Sequence, residues 1–518
     1  MRAHTPEAGR LSSLARSTAR GAIWTGIASL STSLLRLAIL AILARLLAPA
    51  DFGLLTAATF FIDLSNIIHE LGFSAAVIQK QATDDQLLST AFWSSLGMGV
   101  GLWLVLTAAS PLVAWFYRNP TVQPVLMVLA TTFVIMPLGL LQKVLLQKEL
   151  DFRRLALAEV GAVLAMGALS IGLAWQGLGV WSLVWGSIAQ RVAEVVLLWL
   201  LHPWRPSRAW SGAAFGELFG FGANVVGERI ANYLNNNLDY LLVGRLLGEA
   251  ALGYYSFAFQ LVMLPLTRVS ILISRVTFPA FSLVQDEEER LQRGYLTTVR
   301  YIALLTFPLI VGLFWTAPEL LRLIGGGPKW DPALLPLRIM CPAGMIKAVV
   351  STVGSILKAR GRPDIGFRWN AATLVVTAGA LLIGARFGIV GVAWAVTLLS
   401  LLLAPIIQAI ANRLIGLSWP RYGRALRPAL LGSAAICASV GLLRLLNTWA
   451  LGWSPLPLLV VSILCGGGAY LVAMQFSGAL SEARILTRHL FHVRRSAFDV
   501  AAERRTASPE QETAPPGL

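Results

Sequence analysis

Apolar runs long enough to cross a bilayer recur down the whole chain, broken by short polar segments. About 20 consecutive apolar residues span the hydrocarbon as an α-helix. The runs predict spans near residues 20–44, 52–71, 88–110, 122–142, 155–175, 178–200 and 214–241. They continue near 251–277, 297–317, 334–357, 367–385, 388–411, 428–446 and 455–475. The expected fold class is an all-α polytopic membrane protein with about 14 transmembrane helices. Composition agrees, because 518 residues that are 56% hydrophobic and 13% charged, with a mean hydropathy of +0.69, lie outside the range of soluble domains.

The basic residues give the map a direction. Cytoplasmic loops of membrane proteins are enriched in Lys and Arg. With the N-terminus inside, the tails and every second loop hold 27 of the 42 Lys and Arg residues, and the opposite loops hold seven, among them Arg45, Arg118 and Arg245. The other eight, Arg36, Arg191, Arg229, Arg268, Arg275, Arg300, Arg338 and Lys347, fall within spans. Both termini are therefore expected in the cytoplasm. The net charge of +16 then lies mostly in loops facing anionic lipid. No zinc-finger spacing, aromatic RNA-binding signature or basic zipper accompanies it, which excludes nucleic acid as a partner.

Two passages share a pattern 200 residues apart: Ala44-Arg45-Leu46-Leu47-Ala48-Pro49-Ala50-Asp51-Phe52-Gly53 and Gly244-Arg245-Leu246-Leu247-Gly248-Glu249-Ala250-Ala251-Leu252-Gly253. Each closes one apolar run and opens the next, so they mark corresponding hairpins in two membrane-embedded halves, a common plan for transporters. The organisation read from the chain is a basic N-terminal segment (1–19), an N-lobe (20–200), a linker (201–213), a C-lobe (214–413) and two further spans (414–475). A basic amphipathic segment (476–500) and a polar tail (501–518), expected to be disordered, follow. Residues 1–19 show no cleavage site after a short apolar core, so a removable signal peptide is not expected.

The short loops limit the chemistry. None is large enough for a soluble catalytic domain, and no enzyme activity is expected. Gly325-Gly326-Gly327-Pro328-Lys329 lacks both the Ser or Thr after the lysine and the preceding strand of a phosphate loop. The three cysteines, Cys341, Cys437 and Cys465, are dispersed in spans, and His489 and His492 sit in a basic surface segment, so neither a metal nor a cofactor is expected. Uphill transport would draw on an ion gradient or the membrane potential.

Polar groups within spans are costly and mark cavities or partners. In span seven Asn224, Glu228, Asn232, Asn235 and Asp239 step by three or four residues along one helical face, flanked by Arg229, Asn236 and Asn237. Span one carries Thr25, Ser29, Thr32 and Arg36, and at the 200-residue offset Ser29, Thr32 and Arg36 match Arg229, Asn232 and Asn236. The two faces are expected to meet at a shared central cavity, with a buried network between helices as the alternative. Arg191, Arg268, Arg275 and Lys347 are further cationic candidates, although Arg191 has Glu194 three residues away as a partner. His69, beside Glu70, is expected to cap a helix end at the interface rather than relay protons.

With these residues in place, the chain resembles the bacterial polysaccharide-repeat-unit flippases, the polysaccharide transport branch of the multidrug/oligosaccharidyl-lipid/polysaccharide exporter superfamily. The resemblance runs from about Arg20 to Arg413. It is carried by Leu43 to Gly53, Glu70 to Gln79 and Leu146 to Arg154, and then by Asn237 to Arg245, Phe278 to Ser282, Gly327 to Trp330 and Ala359 to Pro363. It implies two pseudo-symmetric six-helix lobes plus two C-terminal helices. It also implies a partner, an undecaprenyl-pyrophosphate-linked glycan flipped across the membrane beside membrane lipid, in association with polysaccharide polymerase and export machinery. Arginine forks suit a pyrophosphate held away from water. On that reading Arg36, Arg229 and Arg268 would hold the pyrophosphate, Asn224, Asn232, Asn235 and Asn236 would contact sugars, and Glu228 or Asp239 would couple an ion. These assignments rest on the helical faces rather than on the motifs. The competing readings are a multidrug or cation antiporter of the same superfamily, a membrane-embedded glycan polymerase or ligase, and a non-transporting scaffold.

Overall fold

A computed structural model describes residues 6–69, 85–283 and 288–478, with side chains from Trp24 onward except at 25, 27, 213–226, 228, 268–283 and 451. Fourteen helical spans follow one another. The first six are α1 (Pro6–Leu46), α2 (Pro49–His69), α3 (Asp85–Tyr117), α4 (Val122–Lys148), α5 (Phe152–Trp175) and α6 (Val180–Leu201). The next six are α7 (Gly212–Leu247), α8 (Glu249–Leu283), α9 (Glu288–Gly325), α10 (Pro328–Ala359), α11 (Pro363–Ala385) and α12 (Gly388–Leu414), and the chain closes with α13 (Trp419–Leu446) and α14 (Pro455–Phe476). Thirteen of them are long and apolar enough to cross a membrane by length and composition. The fourteenth, α7, is 36 residues long, and its described stretch carries Arg229, Asp239 and Arg245. The protein is a multi-pass membrane protein.

Local sequence sets the breaks between spans. Pro49 opens α2, and the Asp51 carboxylate accepts the Ala48 N–H at 2.9 Å, closing the tight turn after α1. Asp151 caps α5 by accepting the Arg154 N–H at 3.1 Å. Gly361, at φ +66°, takes the left-handed turn that ends α10 before Pro363 starts α11. Two spans are not single rods. In α4 the helix is interrupted at Thr131, and α10 opens with a 3-10 turn, Pro328–Ala333, and breaks again between Val350 and Val353. The basic N-terminal segment is helical from Pro6 and runs unbroken into the first span.

The two six-helix lobes pack alike. Helix α5 lies against α1 and α6 in one lobe as α11 lies against α7 and α12 in the other, and α2 joins α8 at the centre. Helices α13 and α14 pack on the outer side of α9. The two passages related by 200 residues meet at this central contact. A β-carbon on Gly53 would lie 1.8 Å from the Glu249 carbonyl oxygen, and one on Gly253 would lie 1.8 Å from the Pro49 carbonyl oxygen. One turn further on, Thr56 donates to the Ser256 hydroxyl at 3.2 Å. Each contact pairs positions that match across the repeat, so a pseudo-twofold axis passes between α2 and α8 here.

Candidate functional site

The same end of the molecule is sealed by two arginines in matching positions. At the C-terminus of α1, Arg45 reaches the end of α9 and donates from Nε and Nη2 to the Leu323 carbonyl at 3.1 and 2.6 Å. At the C-terminus of α7, Arg245 donates to the carbonyls of Trp115 and Phe116 at the end of α3. The first clasp is reinforced. Lys329 donates to the Arg45 and Leu47 carbonyls at 2.9 and 2.6 Å, and the Trp330 indole donates to Ala44 at 3.0 Å. These are the orphan carbonyls at a helix end, where a cation is favoured. Trp330 itself is fully buried, stacked on Phe257 with ring centroids 4.2 Å apart. Lys329 thus binds helix carbonyls, which accounts for a glycine-rich stretch that is not a phosphate loop.

Below this seal lies a cavity of 560 Å³ between the lobes. Helix α1 contributes Ser33 and Arg36, α2 Thr56 and Thr59, α5 and α6 Ser170 and Ser187, and α8 Ser256, Gln260 and Thr267. Arg36 is the single charged residue among the described lining side chains. A basic fork set among hydroxyls and an amide suits a phosphate-bearing ligand with polar substituents.

A second cavity of 140 Å³ lies inside the C-lobe among α7, α10, α11 and α12. Asn235, Asn236, Asp239, Lys347, Trp369, Thr373, Thr377 and Ser400 line it. Asp239 is buried and well held, accepting from the Tyr255 hydroxyl at 2.7 Å and the Tyr240 N–H at 3.0 Å. The Lys347 ammonium sits 5.2 Å from the centroid of the Phe259 ring. Tyr240 and Phe259, edge to face at 5.7 Å, both border the larger cavity.

The span-seven stripe is thus divided. Arg229, Asn232 and Asn236 lie on its exposed edge, with the Asn236 amide donating to the Asn232 side-chain oxygen at 3.0 Å. Asn235, Asn236 and Asp239 line the C-lobe cavity, whereas Arg36 lines the interlobe one. The side chains of Asn224, Glu228, Arg268 and Arg275 lie outside the described residues, as does the Glu70 to Gln79 passage. Arg191 pairs with Glu194 at 3.4 Å, as its spacing predicted, within the N-lobe. Lys143, read as a loop residue, stands in α4 and pairs with the same Glu194 at 2.8 Å. His69 ends α2 and is buried, 3.4 Å from the Ser95 hydroxyl. Gln260, Tyr240 and Phe259 did not emerge from reading single helices, yet the repeat offset that pairs Thr56 with Ser256 leads directly to the turn that holds Phe259 and Gln260.

The chain can now be placed among known proteins. The family described as "Polysaccharide biosynthesis protein" matches residues 42–335, more than half of the chain, and the chain belongs to that family. It is 29% identical over 461 residues to the lipopolysaccharide biosynthesis protein WzxC of Escherichia coli (strain K12), a match covering 88% of each chain. It is 27% identical over 428 residues to the teichuronic acid biosynthesis protein TuaB of Bacillus subtilis (strain 168), covering 82% of this chain and 88% of that one. Among solved structures, the lipid II flippase MurJ in its inward closed conformation matches with a TM-score of 0.71 at 13% identity, over 89% of this chain and 100% of that one. At that identity the likeness is one of fold, and it carries the two-lobed, fourteen-helix architecture.

Proposed function

We propose that the chain is a flippase that moves undecaprenyl-pyrophosphate-linked oligosaccharide repeat units across the bacterial inner membrane by alternating access, for exopolysaccharide, capsule or O-antigen synthesis. The observation that carries this reading is the interlobe cavity, sealed at one end by the Arg45 and Arg245 clasps and lined by Arg36 among hydroxyls. The family membership, the printed names of WzxC and TuaB, and a fold shared with a lipid II flippase support it.

The clasped end is the external face, and the opposite end, which holds most of the basic residues and both termini, is cytoplasmic. The headgroup enters from the inner leaflet, Arg36 takes the pyrophosphate, and Ser33, Thr56, Ser256 and Gln260 contact the first sugars. Arg229, Asn232 and Asn236 on the exposed edge of α7 receive the more distant sugars, and Arg268 lies one residue beyond the lining Thr267. The isoprenoid tail stays in lipid. Breaking both clasps while the cytoplasmic ends close releases the headgroup outside. An inside-negative potential favours outward movement of an anion by about 2.3 kcal/mol per charge per 100 mV, so no covalent step is needed. Asp239, with Lys347, is the candidate for ion coupling, and Glu228 is a second.

The test is the leaflet distribution of undecaprenyl-linked oligosaccharide in cells depleted of the protein and complemented with wild type or Arg36→Gln. Accumulation on the cytoplasmic leaflet, relieved by wild type and not by an equally expressed Arg36→Gln, is expected. An unchanged distribution in cells without a redundant flippase overturns the reading.

A further inference from the structure

On the basic face, away from both cavities, the start of α13 leans on α9 and leaves a cleft of 320 Å³. Its lining is Leu296, Thr297 and Arg300 from α9, and Arg421, Arg424 and Ala425 from α13. The spacings, one and three residues on α9 and three and one on α13, put each set on a single helical face. Three arginines from two elements line one hollow, and none of the described residues lining it is a carboxylate.

The hollow is built on a fixed base. Gln292 is buried, donates to the Ile415 carbonyl at 2.7 Å and accepts from Arg421 Nη1 at 3.1 Å, so Arg421 is held in position before any ligand arrives. Behind it Leu291, Tyr295, Val299, Leu417 and Tyr422 form a buried apolar cluster that locks α9 to α13. Of the acids that open α9, Glu288 lies against Gly416 and Glu289 pairs with Arg293 at 3.6 Å, and none of these three residues lines the cleft. Arginines that served only to orient the chain would be dispersed over exposed loops, whereas these three share one cavity.

The position also has a depth. Trp419, half exposed, opens α13 two residues before Arg421, and Leu430 and Leu431, half exposed, follow Arg424 by two turns. Aromatic residues mark the headgroup level and exposed leucines the hydrocarbon. The cleft therefore sits where phosphate groups of one leaflet lie, with apolar helix surface below it for acyl chains. Arginine forks match phosphate oxygens in pairs.

We infer that the α9–α13 cleft is a binding site for the phosphate headgroup of an anionic bilayer lipid, held by Arg300, Arg421 and Arg424 and separate from the transported headgroup. The lipid ties α13, which lies outside the two lobes, to α9 at the membrane surface.

The experiment is a thermal-unfolding series on the purified full chain in neutral detergent at fixed ionic strength. Phosphatidylglycerol, phosphatidylcholine and inorganic phosphate are added separately. Phosphatidylglycerol is expected to raise Tm, with the other two leaving it near the lipid-free value. Arg421→Gln/Arg424→Gln is expected to lose most of the rise, and Arg154→Gln, an exposed basic residue elsewhere on the same face, to keep it. Should the double variant fold poorly, Arg424→Gln alone serves, because the one bond seen for its side chain is to Pro420 on its own helix. Equal stabilisation of wild type and variants by phosphatidylglycerol overturns the site. Equal stabilisation by inorganic phosphate overturns the lipid as its occupant.

Discussion

Two grooves flank the pseudo-twofold axis, and the repeat should make them equal. On one side α7 packs on α2, with the Tyr233 hydroxyl donating to the Phe60 carbonyl at 2.9 Å and the two rings 5.4 Å apart. The matching positions on the other side, 200 residues away in each case, are Ser33 on α1 and Gln260 on α8, and these line the interlobe cavity. A large aromatic pair fills one groove, and a small hydroxyl facing an amide leaves its counterpart hollow. Arg36 enters that hollow, while Asn236 takes its place on the filled side. The difference reaches the backbone, since α7 packs closely on α2 whereas α1 and α8 barely touch, and the side left open is the one that Arg36 enters.

The comparison can be broken at its origin. Gly53→Val and Gly253→Val each drive a side chain into a facing backbone carbonyl that has no room to yield. Either is expected to cost more than about 3 kcal/mol and to collapse the yield of monodisperse protein on size exclusion, with equal severity for the two. A normal Tm for one of them would mean that the axis does not lie there. Next in size is the conversion of the open groove into a copy of the filled one. Ser33→Tyr with Gln260→Phe should preserve Tm and reduce export to background in the complementation assay, whereas Tyr233→Phe, which keeps the ring, should leave export close to wild type.

A smaller loss is expected from Arg36→Gln. Removing a charge-assisted contact worth roughly 1.5–3 kcal/mol should lower transport by about ten- to a hundredfold, with Arg36→Lys recovering part of it. Equal activity of the glutamine variant would place the headgroup elsewhere. The mildest effect belongs to the clasps. Arg45 has Lys329 and Trp330 beside it, whereas Arg245 has no such helpers among the described residues. Arg245→Gln is therefore expected to loosen the outer seal more than Arg45→Gln. Labelling of a cysteine placed at Leu55, in a chain whose Cys437 and Cys465 are serine, reads this from the external side as a few-fold faster reaction.

Much of this architecture was legible in the sequence because membrane spans need only local information. Length and apolar runs sufficed to predict all fourteen spans, α7 with its polar stripe among them. The repeated hairpin phrase went further, since it named the residues that meet at the axis. What could not be read was how a helical face is shared out. Asn232 and Asn235 are neighbours on α7, yet one is exposed and the other points among α10, α11 and α12, a division made by helices more than 100 residues away. Lys143 was misread for a related reason. A lysine near the end of an apolar run looks like a loop residue until Glu194, from another helix, is seen to neutralise it at 2.8 Å.

The glycine contact at the axis has an evolutionary reading. Residue 53 of one repeat touches residue 249 of the other, and residue 253 touches residue 49, the reciprocal pattern of an isologous homodimer interface. One chain thus carries inside itself the contact that two copies of a six-helix unit would make. Neither repeat is free to diverge at these positions without an answering change in its twin. Positions away from the axis carry no such obligation, and it is there, at Ser33 and Arg36 on α1 and Gln260 on α8, that the halves have parted.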